Sequence, residues 1–166
     1  MTGERGAPDS DAWRALVAAG EAILASAAPA SPALQGAAIV ALGWATVEIA
    51  RAEIELGAVI GSDEAWAEAP RDAVLGARAA VSRPQSAAGP VLVLLEPDTE
   101  GRLAASLARH GEGVAAIYVT RSREMTLAPG SFGIPAGGPL GRARRLTGGG
   151  SGEPSILVLD ADPRSP

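Results

Sequence analysis

The sequence predicts an α+β domain with a helix at its N-terminal end. Two kinds of pattern predict it. Val91–Glu96 (VLVLLE), Val114–Thr120 (VAAIYVT) and Ser155–Asp160 (SILVLD) are short runs rich in β-branched residues and leucine, each preceded by Gly or Pro, as strands often are. Trp13, Leu16, Val17, Ile23, Leu24 and Ala27 recur instead at helical spacing. The chain has 166 residues. A domain of that size hides roughly 70% of its unfolded surface, enough for a real core. Hydrophobic residues make up 47% and charged residues 20%, whereas aromatics are only 3%, so Ala, Val and Leu must build that core.

In chain order, residues 1–8 read as a frayed tail. Asp9 or Ser10 is placed to cap the first helix, which Pro29 should stop. Its apolar stripe needs cover, from the main domain or from a second subunit. Residues 28–36 (APASPALQG) read as a linker, dividing the chain into an arm (1–36) and a domain (37–166). Ala38–Ile49 reads as a strand and 50–57 as a short helix, while 58–70 carries no clear period. A strand at 74–82 and a turn from Pro84 to Pro90 lead to the strongest strand, Val91–Glu96, ended by Pro97. Asp98 or Thr99 is placed to cap a helix over Glu100–Arg109, and Gly111 stands where a helix-ending glycine belongs. Residues 121–141 are rich in Gly and Pro and read as a long loop. A short strand at Arg142–Leu146, a TGGGSG turn at Thr147–Gly152 and the strand Ser155–Asp160 complete the chain.

Composition excludes several chemistries. There is no cysteine, hence no disulfide, thiolate metal site or cysteine nucleophile. His110 is the only histidine, which leaves too few ligands for a typical zinc or iron site. All 14 basic residues are arginine, so neither a lysine Schiff base nor a Walker A loop is possible. The net charge of −5 gives no counterion-release advantage on nucleic acid. Pro29, Pro32, Gln35 and Gly36 interrupt the longest uncharged stretch, so no membrane span is expected. Met1–Arg5 lacks the order of a signal peptide, and the protein reads as cytoplasmic.

One stretch has a recognisable wording. Leu94-Leu95-Glu96-Pro97, a polar helix carrying Leu103 and Leu107, then Arg109-His110-Gly111-Glu112-Gly113 and Ile117 resembles the vicinal oxygen chelate superfamily, methylmalonyl-CoA epimerases and glyoxalase-like proteins in particular. There the phrase runs "ELLEP", a helix, "K-x-GEG", then "HHI". Val47-Glu48-Ile49 and Ala50-Arg51-Ala52 are similar to the end of that family's opening strand and its first helix. The resemblance spans about residues 40 to 121 and implies two βαβββ modules whose strands curl into a cup. The second module is expected to be truncated, because 121–141 shows no helical pattern, and dimerisation could complete the cup.

The family's metal ligands fall here near Leu42 or Gly43, on Val93, on Ala116 and near Val158, all without a donor atom. The resemblance therefore implies a degenerate, metal-independent member with no cofactor. Strand parity extends the expected cup lining to Trp44, Thr46 and Glu48, to Val91 and Leu95, to Val114, Tyr118 and Thr120, and to Ile156 and Asp160. Ligand contacts are thus expected from Trp44, Thr46, Val93, Ala116, Tyr118 and Thr120. Such a mostly apolar lining suits a small organic ligand. Trp44 and Tyr118 could stack on it or fill the core. Glu48 and Asp160 could act as an acid–base pair on a carbon acid, or sit solvated at strand ends. Glu96 is expected to point outward or cap the turn at Pro97, Glu112 to be a loop residue, and His110 to complement a helix C-terminus. Arg142, Arg144 and Arg145 could hold a phosphate or form a solvated face.

Three functions follow. The first is a metal-independent small-molecule binding or accessory protein. The second is a metal-free isomerase, lyase or cyclase acting on a small carbonyl or thioester. The third is a structural subunit, with a homodimer or partner protein engaged through the N-terminal helix.

Overall fold

The computed structural model describes residues 10–60, 66–84, 89–98, 100–120, 130–148 and 153–161. Helix α1 (Ser10–Ala27) opens the fold, and Asp9 lies outside the described residues. Pro29 ends the helix as expected, but the linker is not shapeless: Ala28–Ala30 and Pro32–Leu34 are 3-10 turns, each with proline in its first positions. Leu34 is buried against the sheet. Strand β1 (Ile39–Ala45) is shorter than expected and α2 (Ile49–Ile60) longer. Strand β2 (Trp66–Asp72) begins within the stretch that lacks a clear period and turns through 73–76 into β3 (Ala77–Ser82). Strand β4 (Val91–Pro97), helix α3 (Arg102–His110) and strand β5 (Gly113–Thr120) follow closely as read. Helix α3 starts at a Gly101 N-cap without a side-chain cap; Asp98 instead pairs with Arg71, and Thr99 lies outside the described residues. Strands β6 (Ala136–Gly138), β7 (Gly141–Arg145) and β8 (Ser155–Leu159) complete the sheet.

The strand order is β2-β3-β4-β1-β5-β8-β7-β6. Strand β1 pairs parallel with β4 and antiparallel with β5, while β5 pairs parallel with β8. Each half is thus a set of four strands in the same connection, β1 to β4 and β5 to β8, joined edge to edge. The second module contributes all four strands from this one chain, with residues 121–135 connecting β5 and β6. Residues 121–129 of that connection are outside the described residues, and no helix is seen in the remainder.

Two cores flank the sheet. On the outer face, Leu42, Leu92, Leu94, Ile117, Val119, Ile156 and Val158 pack with Ala52, Leu56 and Ile60 of α2 and with the apolar stripe of α1. Helix α1 lies against β1, β5 and α2. It lies over β1 and β5, where the two modules join, whereas α2 lies over β4 of the first, and its stripe is partly buried against its own chain. Gly20 makes this approach possible: a Cβ there would sit 2.4 Å from Leu42 Cδ2. On the inner face, Ala41, Ala45, Val93, Leu95, Ala116, Tyr118, Leu157 and Leu159 form a second core with Leu103 of α3. The sheet curls around this core until its edge strands meet, where Ala73 N–H donates to Gly137 O at 2.9 Å.

Candidate functional site

The concave face is where the sequence places a ligand, and its floor is packed. Gly43 pairs with Val93 on one side and Ala116 on the other. A Cβ added at Gly43 would lie 2.9 Å from both Ala116 Cβ and Leu95 Cδ1. Such contacts leave no space even for a methyl group without a shift. These are the positions that the resemblance assigns to chelating side chains. They offer no oxygen or nitrogen side chain, and among the described residues no group of three His, Asp or Glu could hold a metal ion.

One polar pair lies inside this core. The Tyr118 hydroxyl donates to Asp72 Oδ2 at 2.7 Å, and both residues are only 1% exposed. Asp72 Oδ1 accepts the Val74 and Leu75 N–H groups at 2.9 Å each, holding the β2–β3 turn, which closes with Gly76 at φ 68°. A Cβ at Gly138 of β6 would stand 3.5 Å from Asp72 Oδ2. Asp72 thus ties the turn, β5 and the seam between the edge strands together. Burial pushes the Tyr118 hydroxyl well above the ordinary phenol range, and the adjacent carboxylate reinforces the shift. Tyr118 faces the cup, but its hydroxyl is engaged by the protein itself. Sequence reasoning missed Asp72. Its signal is the spacing of Asp72 and Gly76 in DAVLG, an acid able to cap the turn that the glycine ends.

The other expected lining residues separate by position. Val93 and Ala116 are on the concave side, as are Val91 and Leu95. Leu42 and Trp44 are on the helix-covered side, as are Ile156 and Val158. The parity expected for β1 and β8 is therefore slipped by one residue, and Gly43, Leu157 and Leu159 take the inner positions. Trp44 packs in the outer core and is not placed to stack on a ligand in the cup. Glu48 follows the C-terminal end of β1 and Asp160 follows that of β8. Because β1 runs antiparallel to β5, and β5 parallel to β8, these carboxylates stand at opposite ends of the sheet and form no acid–base pair. Asp160 accepts from Arg144 Nε at 3.0 Å, with Arg142 Nε at 3.9 Å. Thr120 packs its main chain against Ala38 at the end of β5 opposite Thr46.

Thr46, fully buried, belongs to a cluster at the start of α2. Glu112 Oε1 accepts from Thr46 Oγ1 at 2.7 Å, from Val47 N–H at 2.8 Å, and from the Arg51 guanidinium. Glu96 Oε2 accepts from Ile49 N–H at 2.9 Å, and Glu96 Oε1 from Arg78 at 3.1 Å. The two glutamates of the recognisable wording therefore converge on the N-terminal end of one helix, where free N–H groups and the helix dipole favour negative charge. The Val47 N–H, the Arg51 guanidinium and the Thr46 hydroxyl hold the Glu112 carboxyl below the usual carboxylate range. Glu112 lies in the loop between α3 and β5 and Glu96 shares the outward parity of Leu94, as the sequence suggested, but both carboxylates are engaged at the start of α2. Beside them lies an open depression of about 590 Å³, with Glu48, Glu53, Glu68, Arg71 and Arg78 on its walls.

A second cavity, about 540 Å³, opens at the far edge of the fold. It lies between the C-terminal end of α1 with its 3-10 turns, the start of α3, the end of β7 and the start of β8.

No family model matches the chain, and no curated protein does. Solved structures do match. Methylmalonyl-CoA epimerase from Mycobacterium tuberculosis aligns at 18% identity with a TM-score of 0.55, over 73% of this chain and 85% of that one. A variant of the Streptomyces coelicolor methylmalonyl-CoA epimerase, in complex with 2-nitronate-propionyl-CoA, aligns at 21% identity with a TM-score of 0.52, over 74% and 97%. A hypothetical protein from Bacillus halodurans aligns at 18% identity with a TM-score of 0.53, over 74% and 92%. The chain has the fold of the vicinal oxygen chelate superfamily, to which the epimerases belong; the likeness is one of fold. No described helix is long and apolar enough to cross a membrane.

Proposed function

We propose that this protein is a metal-independent small-molecule binding or accessory protein that keeps the cup-forming fold without its chelate chemistry. One observation carries the reading: where the resemblance places ligands to a metal, Gly43 stands between Val93 and Ala116, and a side chain on it would press on Ala116 and Leu95. Fold by itself grants no activity, and Gly43, Val93 and Ala116 carry no group that can polarise a substrate oxygen. A metal-free isomerase, lyase or cyclase is disfavoured by the same geometry. Its expected carboxylates lie at opposite ends of the sheet, and the Tyr118–Asp72 pair is sealed from solvent. An accessory role would use surfaces other than the apolar stripe of α1, which packs on its own sheet.

The test is metal content of the purified full chain, together with solvent deuterium exchange into methylmalonyl-CoA in the presence of added cobalt. The reading expects no stoichiometric metal and no exchange above buffer. Cobalt-dependent exchange, abolished by enlarging Gly43, would overturn it.

A further inference from the structure

We infer that the cavity of about 540 Å³ beneath the end of α1 is a ligand site for a small monocarboxylate with an apolar body. The inference rests on the binding-protein reading and places the ligand outside the cup. The volume lies within the usual range for small-molecule sites. Its apolar wall is made by Ile23 and Ala27 of α1 with Leu146 and Ile156, side chains that elsewhere join the outer core. Burying a short alkyl chain there contributes roughly 0.8 kcal/mol per methylene.

Among the described lining residues the charged groups are Arg102, Arg145 and Glu153, and Arg102 and Glu153 already engage other groups, which leaves Arg145 to select the head group. The C-terminal end of α1 and the N-terminal end of α3 both border the space, and their dipoles oppose one another. Arg145 differs from its neighbours on β7. Arg142 and Arg144 share Asp160, whereas no carboxylate among the described residues pairs with Arg145. A charged head group on the ligand would supply that partner. The Thr147 hydroxyl donates to Gly130 O, which fixes the rim on that side.

The experiment is calorimetric titration of the full chain with octanoate, and with octanol as the uncharged probe of equal length. Octanoate should bind at one site and octanol about tenfold more weakly or worse, the effect of losing one charge-assisted contact. Ser26→Trp, a change at an exposed position on the cavity rim, should abolish binding while the melting temperature of the free protein stays unchanged. Arg145→Gln should bring octanoate down to the level of octanol. Absence of saturable octanoate binding would overturn the site, as would binding undiminished in Ser26→Trp. Either result leaves the metal and exchange test untouched. Cobalt-dependent turnover would sink the parent reading without bearing on this cavity.

Discussion

Replacing Glu112 by alanine should destabilise the protein by about 2 kcal/mol, and the figure can be assembled from its partners. Loss of the carboxylate removes the acceptor of the Val47 N–H at the start of α2, a capping contact worth about 1 kcal/mol. It strands the buried Thr46 hydroxyl, whose desolvation would add roughly 1–3 kcal/mol. Thr46 Oγ1 also lies 3.2 Å from Glu48 O, so the hydroxyl can turn to that carbonyl and recover part of the loss. The Arg51 contact adds little, because Arg51 keeps Glu55 at 3.0 Å and is itself 40% exposed. Urea denaturation followed by far-ultraviolet circular dichroism reads the change. The pH dependence makes the test sharper. Since the Glu112 carboxyl sits below its unfolded value of about 4.3, its contribution is present above that pH. It is lost as pH falls through the folded value. Glu112→Gln keeps an acceptor oxygen but cannot titrate, so it should flatten the stability profile below pH ~4.3 relative to the parent. A Glu112→Ala protein as stable as the parent, or a Glu112→Gln profile with the parent's slope, would refute the capping argument.

Three further outcomes follow from the packing. Gly20→Val should lower stability by about 1–3 kcal/mol or more through overpacking against Leu42, and should raise amide exchange along α1 first, by hydrogen-exchange mass spectrometry. Tyr118→Phe should cost about 1–3 kcal/mol in urea denaturation, because Asp72 Oδ2 loses its donor in a buried setting, and exchange should rise at the 73–76 turn. Trp44→Ala should cost about 3 kcal/mol in thermal or urea unfolding as a core truncation, while octanoate binding by the folded variant stays unchanged.

Much of the fold was legible in the sequence because strong strands announce themselves locally. VLVLLE, VAAIYVT and SILVLD are buried on both faces, so they read as unbroken apolar runs, and they form β4, β5 and β8. That same property hid their facing. A run apolar on both sides carries no alternation, so parity had to be counted from an assumed alignment. A one-residue error on β1 and β8 then sent Trp44 and Val158 to the wrong core. Strand β2 was unreadable because WAEAPRD lies at a sheet edge with mixed exposure, and β6 because three residues of AGG carry no pattern. The family wording proved informative about architecture. Glu96 and Glu112 mark the capped start of α2, through contacts that join residues 47 and 65 positions apart and that no local period could disclose. Asp72 and Gly20 were missed for the same reason, since their partners Tyr118 and Leu42 come from other elements.

A crystal of the full chain soaked in cobalt, with anomalous difference density calculated over the inner face of the sheet, puts the matter most directly. Side chains of Gly43's neighbours Leu95 and Ala116 should remain in contact, with no anomalous peak between β1, β4 and β5. A cobalt peak at coordination distance from groups converging there, in a sheet opened to admit it, would contradict the account.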